Sequence, residues 1–179
     1  YAHAKILSID VSAAKALKGV HDVITGDYYT KRGGLYLEDK NFLAVNTVKF
    51  CGEPVVAVAA ETPEIAEAAC ELVKVEYEPL PVINNPMEGM AKDAILIHPE
   101  LHTYKVVPIF HPQAHTNISH HHIIRKGDAD AAFKYAEEHP DEYYITEHEY
   151  HVPHVQHTPI ENHIAVAQYE PDGKCTVWA

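Results

Sequence analysis

The sequence predicts an α+β protein, because short apolar runs of strand length are interspersed with a clearly delimited amphipathic helix. Apolar residues make up 46% of the 179 residues, a share typical of a globular chain that buries a core. The longest apolar run, residues 54–60, is far shorter than the roughly 20 residues that a membrane-spanning helix needs. We therefore expect a globular fold without a membrane partner.

Seven elements are predicted in the first 83 residues. A strand is followed by a short helix that Asp10 or Ser12 can cap and that Gly19 can end. Three strands, a second helix and a final strand come next. The predicted strands cover residues 4–9, 20–24, 42–50, 55–60 and 73–77. This order predicts one compact α+β unit.

The second helix has the strongest local signals in the chain. Thr62 is a favourable N-cap residue, and Pro63 occupies the first helical position, where its missing N–H costs nothing. The apolar positions that follow recur at helical spacing. They are Ile65, Ala69, Leu72 and Val73. Cys70 is placed on the same apolar face, so we expect its thiol in the core.

Residues 84–117 lack hydrophobic periodicity and are rich in Pro, His and Asn, which predicts an extended connector. A loop of this length is uncommon inside one domain, so we place a domain boundary there. The predicted division is a first domain at residues 1–83, the connector at 84–117, and a second domain at 118–179.

The predicted second domain contains strands at residues 118–125 and 143–150 and a helix that begins at Gly127-Asp128 and includes Phe133. A hairpin follows, with strands at 163–169 and 175–178 around a Pro-Asp-Gly turn. The sequence starts at Tyr1 and stops inside the last strand. We therefore expect a piece of a longer polypeptide.

Charge and cysteine content exclude several classes of protein. The chain has 14 basic and 26 acidic residues, whereas nucleic-acid binding needs clustered Lys and Arg. Three widely spaced cysteines without a C-x-x-C pair argue against a disulfide framework, a zinc ribbon and an iron–sulfur ligand set. Reduced thiols indicate a cytoplasmic protein. No G-x-S-x-G, P-loop or G-x-G-x-x-G motif is present, so no active site is visible.

Histidine is unusually frequent, with 15 residues. Four of them recur at every third position, which would align them on one face of a polyproline-like segment around Pro153. They are His148, His151, His154 and His157. Imidazoles so arranged could bind zinc or nickel, but no named metal motif is present. The alternative, which we favour, is a row of polar side chains at an interface, with any metal binding adventitious.

Several blocks of the sequence together resemble the molybdenum-binding large subunit of the xanthine dehydrogenase/aldehyde oxidase family. In the first domain the similar blocks are residues 1–6, 19–20, 23–27, 48–62 and 66–81. In the second part they are residues 117–118, 125–128, 131–133, 156–161, 172–174 and 176–179. The resemblance implies an α/β-hammerhead domain followed by the first part of the molybdopterin-binding domain.

The resemblance implies that the parent enzyme hydroxylates purines, other N-heterocycles or aldehydes with water as the oxygen source. The molybdopterin cofactor would belong to the full-length parent, with none expected in this fragment, and iron–sulfur clusters and FAD would lie on other domains or subunits. The partners implied are the rest of the large subunit, those redox subunits and a small-molecule substrate. The family's cofactor-contacting glutamine, Gly-rich loops and catalytic glutamate have no counterpart here, so we expect a non-catalytic fragment, inactive alone.

Two other functions remain open. The chain could be a stand-alone hammerhead module for assembly or binding, without redox activity. It could also be a small metal-binding protein that uses the histidine row.

Overall fold

The computed structural model describes residues 1–179 and contains nine strands and four α-helices. The elements fall into two units, Tyr1–Ile124 and Arg125–Ala179, which are described separately. Helices and strands are mixed along the chain, which confirms the predicted α+β class. No helix combines the length and the apolar character that a membrane crossing requires.

Strand β1 (Ala4–Asp10) is the middle strand of a three-stranded antiparallel sheet. It pairs with β5 (Thr47–Val48) on one side and with β7 (Lys74–Pro79) on the other. The register against β7 shifts after Ile6, which places a bulge in the long pair. Ala4 and Val48 are buried and form the centre of a small core under this sheet.

A second core lies between a two-stranded antiparallel sheet and two helices. The sheet pairs β2 (Val20–Thr25) with β6 (Val56–Ala60), and the helices are α1 (Ser12–Ala16) and α2 (Pro63–Leu72). The buried side chains at its centre are Ala14, Val23 and Ala69. Because alanines supply two of these three, the helices can approach the sheet closely.

Helix α2 confirms the helix predicted from Thr62 and Pro63. The Thr62 hydroxyl accepts a hydrogen bond from the Ile65 backbone N–H at 3.3 Å. The prediction for Cys70 is wrong, because its side chain is exposed. The buried stripe is centred on Ala69, and a residue one position further along a helix points about 100° away.

Replacing Thr62 by alanine is expected to destabilise α2 by about 1 kcal/mol, because the Ile65 N–H loses its acceptor at the helix start. Hydrogen exchange of the peptide that covers α2 measures the effect. Thr62→Ser keeps the hydroxyl and is the control. Equal protection in the alanine and serine variants would show that the cap contributes nothing.

The prediction of a strand at residues 42–50 is wrong for most of that range. Only Thr47–Val48 is a strand, preceded by the short β4 (Lys40–Asn41), which pairs with β3 (Arg32–Gly33). Asn46 adopts a left-handed backbone with φ 62°, and this conformation interrupts an extended chain. The apolar residues of this segment therefore lie in a loop, where Ala44 is buried.

Residues 84–117 contain only α3 (Pro86–Gly89) and a 3-10 turn at Leu101–Thr103, yet they belong to the first unit. The Asn117 side chain forms three hydrogen bonds with the backbone of this segment. Its Nδ2 donates to the carbonyls of Gly89 at 3.0 Å and Ile95 at 2.8 Å, and its Oδ1 accepts from the Ile97 N–H at 2.9 Å. Leu101 and Tyr104 are buried. The domain bounds 1–83, 84–117 and 118–179 stay a prediction.

The second unit contains α4 (Ala129–Glu138) and an antiparallel hairpin of β8 (Val166–Tyr169) and β9 (Cys175–Trp178). Asp128 caps α4 by accepting from the Ala131 N–H at 2.9 Å. The strands predicted at 118–125 and 143–150 do not form. Strands need a neighbour to satisfy their N–H and C=O groups, and neither segment has one in this structure.

Candidate functional site

A cavity of about 530 Å³ lies in the first unit, between the start of β1, the β3 and β5 strands and residues 95–100. Its walls combine cationic and apolar side chains with the Glu100 carboxylate and a few uncharged polar side chains. Among the lining residues are His3, Lys5, Arg32, Lys49, Leu80 and Ile97.

Arg32 is held at the wall of this cavity by two contacts. Its Nη2 donates to Glu100 Oε1 at 3.3 Å, and its guanidinium lies over the Tyr104 ring at 4.4 Å from the ring centroid. The Tyr104 hydroxyl lies 2.9 Å from His98 Nδ1. A cation, a carboxylate, a phenol and an imidazole thus form one connected cluster, which fixes the direction of the guanidinium.

The cluster changes the acidity of its members. Burial, and then the negative charge of Glu100, raise the pKa of Tyr104 to about 12. Burial, and then the positive charge of Lys49, lower the pKa of His98. Burial acts to raise the pKa of Glu100, but hydrogen bonds from its own backbone and from Tyr104, with the charge of Arg32, lower it in sum. The ion pair therefore keeps its charges while the phenol and the imidazole stay neutral near pH 7.

Tyr104 is expected to make the first unit sensitive to alkali. Its pKa lies above the ordinary 10.0 in the folded protein, so the neutral phenol stabilises the fold. That contribution is complete below about pH 10 and is lost as the pH rises towards about 12. Tyrosinate absorbance, compared between the natural chain and Tyr104→Phe, measures the titration. A Tyr104 that ionises together with the exposed tyrosines would contradict the expectation.

His3 is buried at 8% exposure, and its Nδ1 lies 2.7 Å from the Pro81 carbonyl oxygen. A carbonyl only accepts, so Nδ1 carries a proton and donates to it. The Nε2 atom makes no hydrogen bond within the protein, and His3 lines the cavity.

The four histidines of the predicted metal row lie in an exposed segment without helix or strand. They are His148, His151, His154 and His157. No group of three or more His, Cys, Asp or Glu side chains in the structure is arranged to hold a metal ion. Metal binding by the row stays a prediction. Of the His120-His121-His122 run, His120 stacks on Phe110 at 4.4 Å between ring centroids.

Comparison with known proteins gives two family matches along the chain. Residues 1–81 match the model described as "Aldehyde oxidase and xanthine dehydrogenase, a/b hammerhead domain". Residues 110–179 match the model described as "Molybdopterin cofactor-binding domain". The chain belongs to the xanthine dehydrogenase/aldehyde oxidase family. Its first unit contains the hammerhead domain, and the start of the molybdopterin-binding domain follows, as the resemblance implied.

Individual relatives agree with this assignment. The chain is 32% identical to a probable xanthine dehydrogenase subunit of Bacillus subtilis, over 100% of the chain and 22% of that protein. It is 30% identical to the nicotinate dehydrogenase large molybdopterin subunit of Eubacterium barkeri, over 98% of the chain and 37% of that protein. The solved aldehyde oxidoreductase of Desulfovibrio gigas superposes with a TM-score of 0.70 at 28% identity, covering 98% of the chain and 18% of that structure. The chain thus spans a minor part of each.

The depression beside α4 in the second unit does not fit the cofactor that names the second family match. The second unit has an open depression of about 380 Å³ beside α4, lined by Ala129, Ala132, Phe133, Ala136 and residues 143–146. None of these side chains is cationic, and none is glycine. A phosphate-bearing pterin needs N–H donors or cations around its phosphate. The depression beside α4 therefore lacks the groups that such a phosphate needs.

The cluster of Arg32, His98, Glu100 and Tyr104 is the part of the site that sequence patterns did not indicate. Arg32 and Glu100 are 68 positions apart, and residues 98–104 lie in the segment predicted to be a connector. No spacing rule links such distant residues. The only available signal was the scarcity of arginine, since the chain has just Arg32 and Arg125.

Proposed function

We propose that this chain is the non-catalytic N-terminal part of the large subunit of a molybdenum hydroxylase. The observation that supports this most strongly is the order of the two family matches, hammerhead domain at 1–81 and molybdopterin-binding domain at 110–179. The lining of the depression beside α4, which contains no cationic side chain, is consistent with the non-catalytic role. The chain then acts as scaffold beside the reaction centre.

The parent protein, on this proposal, oxidises a purine, another N-heterocycle or an aldehyde. Water supplies the oxygen and releases one proton, and the carbon–hydrogen bond of the substrate gives up two electrons and a second proton. The electrons pass to iron–sulfur clusters and FAD on other domains or subunits. Molybdopterin supplies the oxygen-transfer chemistry, and its ligands come from parts of the parent other than these 179 residues. One relative is named as a large molybdopterin subunit, which supports a complex of several subunits.

The decisive experiment uses the natural protein that contains this sequence, purified with whatever copurifies. Elemental mass spectrometry should find one molybdenum for each large subunit. Incubation with xanthine, nicotinate and benzaldehyde in ¹⁸O-labelled water should place ¹⁸O in the product of at least one of them. A protein without molybdenum, or ¹⁸O that enters only from labelled dioxygen, would contradict the proposal.

The alternative is a stand-alone hammerhead module that assembles with another polypeptide. Large apolar side chains of the second unit favour a binding role, because Tyr144, Tyr150, Val152 and Ile160 are all more than four-fifths exposed. Mass spectrometry of the natural polypeptide distinguishes the two functions. A mass near 20.0 kDa supports the module, and a several-fold larger mass supports the hydroxylase.

We also propose a cytoplasmic location and no nucleic-acid partner. The three unpaired cysteines support the cytoplasmic location. The excess of acidic over basic residues supports the lack of a nucleic-acid partner. Cell fractionation tests the location, and recovery of the protein with the membrane or an extracellular fraction would contradict it.

A further inference from the structure

We propose that the cavity of the first unit binds a small organic carboxylate. The carboxylate group lies at Lys49 and Arg32, and the apolar body of the ligand lies against Leu80 and Ile97. This inference is independent of the proposed function, because it rests only on residues 3–104.

Among the cationic side chains of the cavity, Lys49 is the one best able to bind an anion. Of the three cations in the lining, Lys5 pairs with Glu78 at 3.0 Å and Arg32 pairs with Glu100 at 3.3 Å. Lys49 is half-buried and forms no direct ion pair, although its charge contributes to lowering the pKa of the nearby Glu100 carboxyl. The nearby Glu53 carboxylate accepts from the Lys49 backbone N–H instead. A partly desolvated ammonium without a direct ion pair is stabilised when a carboxylate binds to it.

Arg32 offers a second point of attachment on the same wall. A guanidinium has five N–H donors in a rigid fork, and only the contact of Nη2 with Glu100 uses one here. The stacking on Tyr104 keeps the fork in place without using any donor. Lys49 and Arg32 both line the cavity, so two positively charged side chains are available to one bound anion.

The other walls select an organic anion over an inorganic one. Leu80, Pro81, Ile95 and Ile97 line the cavity, and its volume of about 530 Å³ lies within the range of small-molecule pockets, about 300–1,000 Å³. A phosphate or sulfate ion would leave these apolar walls in contact with water. The Nε2 of His3, which makes no hydrogen bond within the protein, adds a polar atom that can hydrogen-bond with the ligand. The combination fits an amphipathic carboxylate.

The test measures binding of 4-fluorobenzoate to the full-length natural protein by ¹⁹F NMR. The neutral analogue 4-fluorobenzamide and inorganic phosphate serve as ligand controls. Lys49→Gln removes the unpaired charge and keeps most of the length of the side chain. Lys18→Gln is the matched control, because Lys18 is exposed and does not line the cavity.

We expect 4-fluorobenzoate to bind, Lys49→Gln to weaken it about tenfold or more, and Lys18→Gln to leave its affinity unchanged. The amide should bind more weakly than the carboxylate, and phosphate should not displace the probe at equal concentration. Equal affinity for the natural protein and the Lys49→Gln variant would overturn the proposal, as would equal affinity for carboxylate and amide. Displacement by phosphate at equal concentration would overturn the role assigned to the apolar walls.

Discussion

Replacing Leu101 by alanine is expected to lower the free energy of unfolding of the first unit by about 2–4 kcal/mol. Leu101 is only 4% exposed, although it lies in a 3-10 turn of a segment with little regular structure. Its loss removes apolar contacts and leaves a cavity that the surrounding turn can only partly fill. Urea denaturation followed by far-UV circular dichroism measures the effect.

Leu35→Ala is the matched control for this substitution, because Leu35 is 80% exposed in the same unit. We expect it to change stability by less than about 0.5 kcal/mol. Tryptophan fluorescence is unsuitable as a probe here, since the single tryptophan, Trp178, belongs to the second unit. If both leucine variants unfold at the same urea concentration, the 84–117 segment does not contribute to the core of the first unit.

Changing Asn117 to aspartate is expected to destabilise the first unit by about 2–3 kcal/mol, although the two side chains have nearly the same shape. The carboxylate can still accept from the Ile97 N–H. It cannot donate to the carbonyls of Gly89 and Ile95, and its charge is repelled by both of them. Hydrogen exchange of residues 86–104 should rise well above that of the natural protein.

Asn84→Asp introduces the same charge at an exposed position of the same segment. It separates the effect of lost hydrogen bonds from the effect of one more negative charge in an already acidic chain. We expect its exchange pattern to match the natural protein. Equal exchange in the two aspartate variants would mean that the three hydrogen bonds of Asn117 do not hold the segment.

Helix α2 and the last hairpin show where local chemistry was sufficient for prediction. Thr62 and Pro63 mark the start of α2 through interactions within one turn, and the observed cap uses the expected hydroxyl. Gly173 adopts the positive φ of 90° that a tight turn requires, and Asp172 accepts from the Lys174 N–H at 3.0 Å. In both elements the stabilising partners are within a few residues, so the sequence contains the whole interaction.

The wrong predictions concern segments whose structure depends on partners that are distant in sequence. Residues 118–125 and 143–150 have the composition of strands, but no neighbouring strand pairs with them here. Cys70 occupies an apolar part of α2, yet the direction from which the sheet approaches leaves it exposed. Periodicity alone does not say which side of a helix meets its neighbour.

The family, the α+β class and the absence of common catalytic motifs followed from residues that are close together along the chain, because caps, turns and matching blocks are local features. The packing of residues 84–117 onto the first unit did not follow from them, nor did the cluster of Arg32, His98, Glu100 and Tyr104. These groups are brought together by chain folding over separations of up to 72 positions. The burial that raises the pKa of Tyr104 and the cavity that surrounds the unpaired Lys49 exist only after that folding, which is why no spacing rule could indicate them.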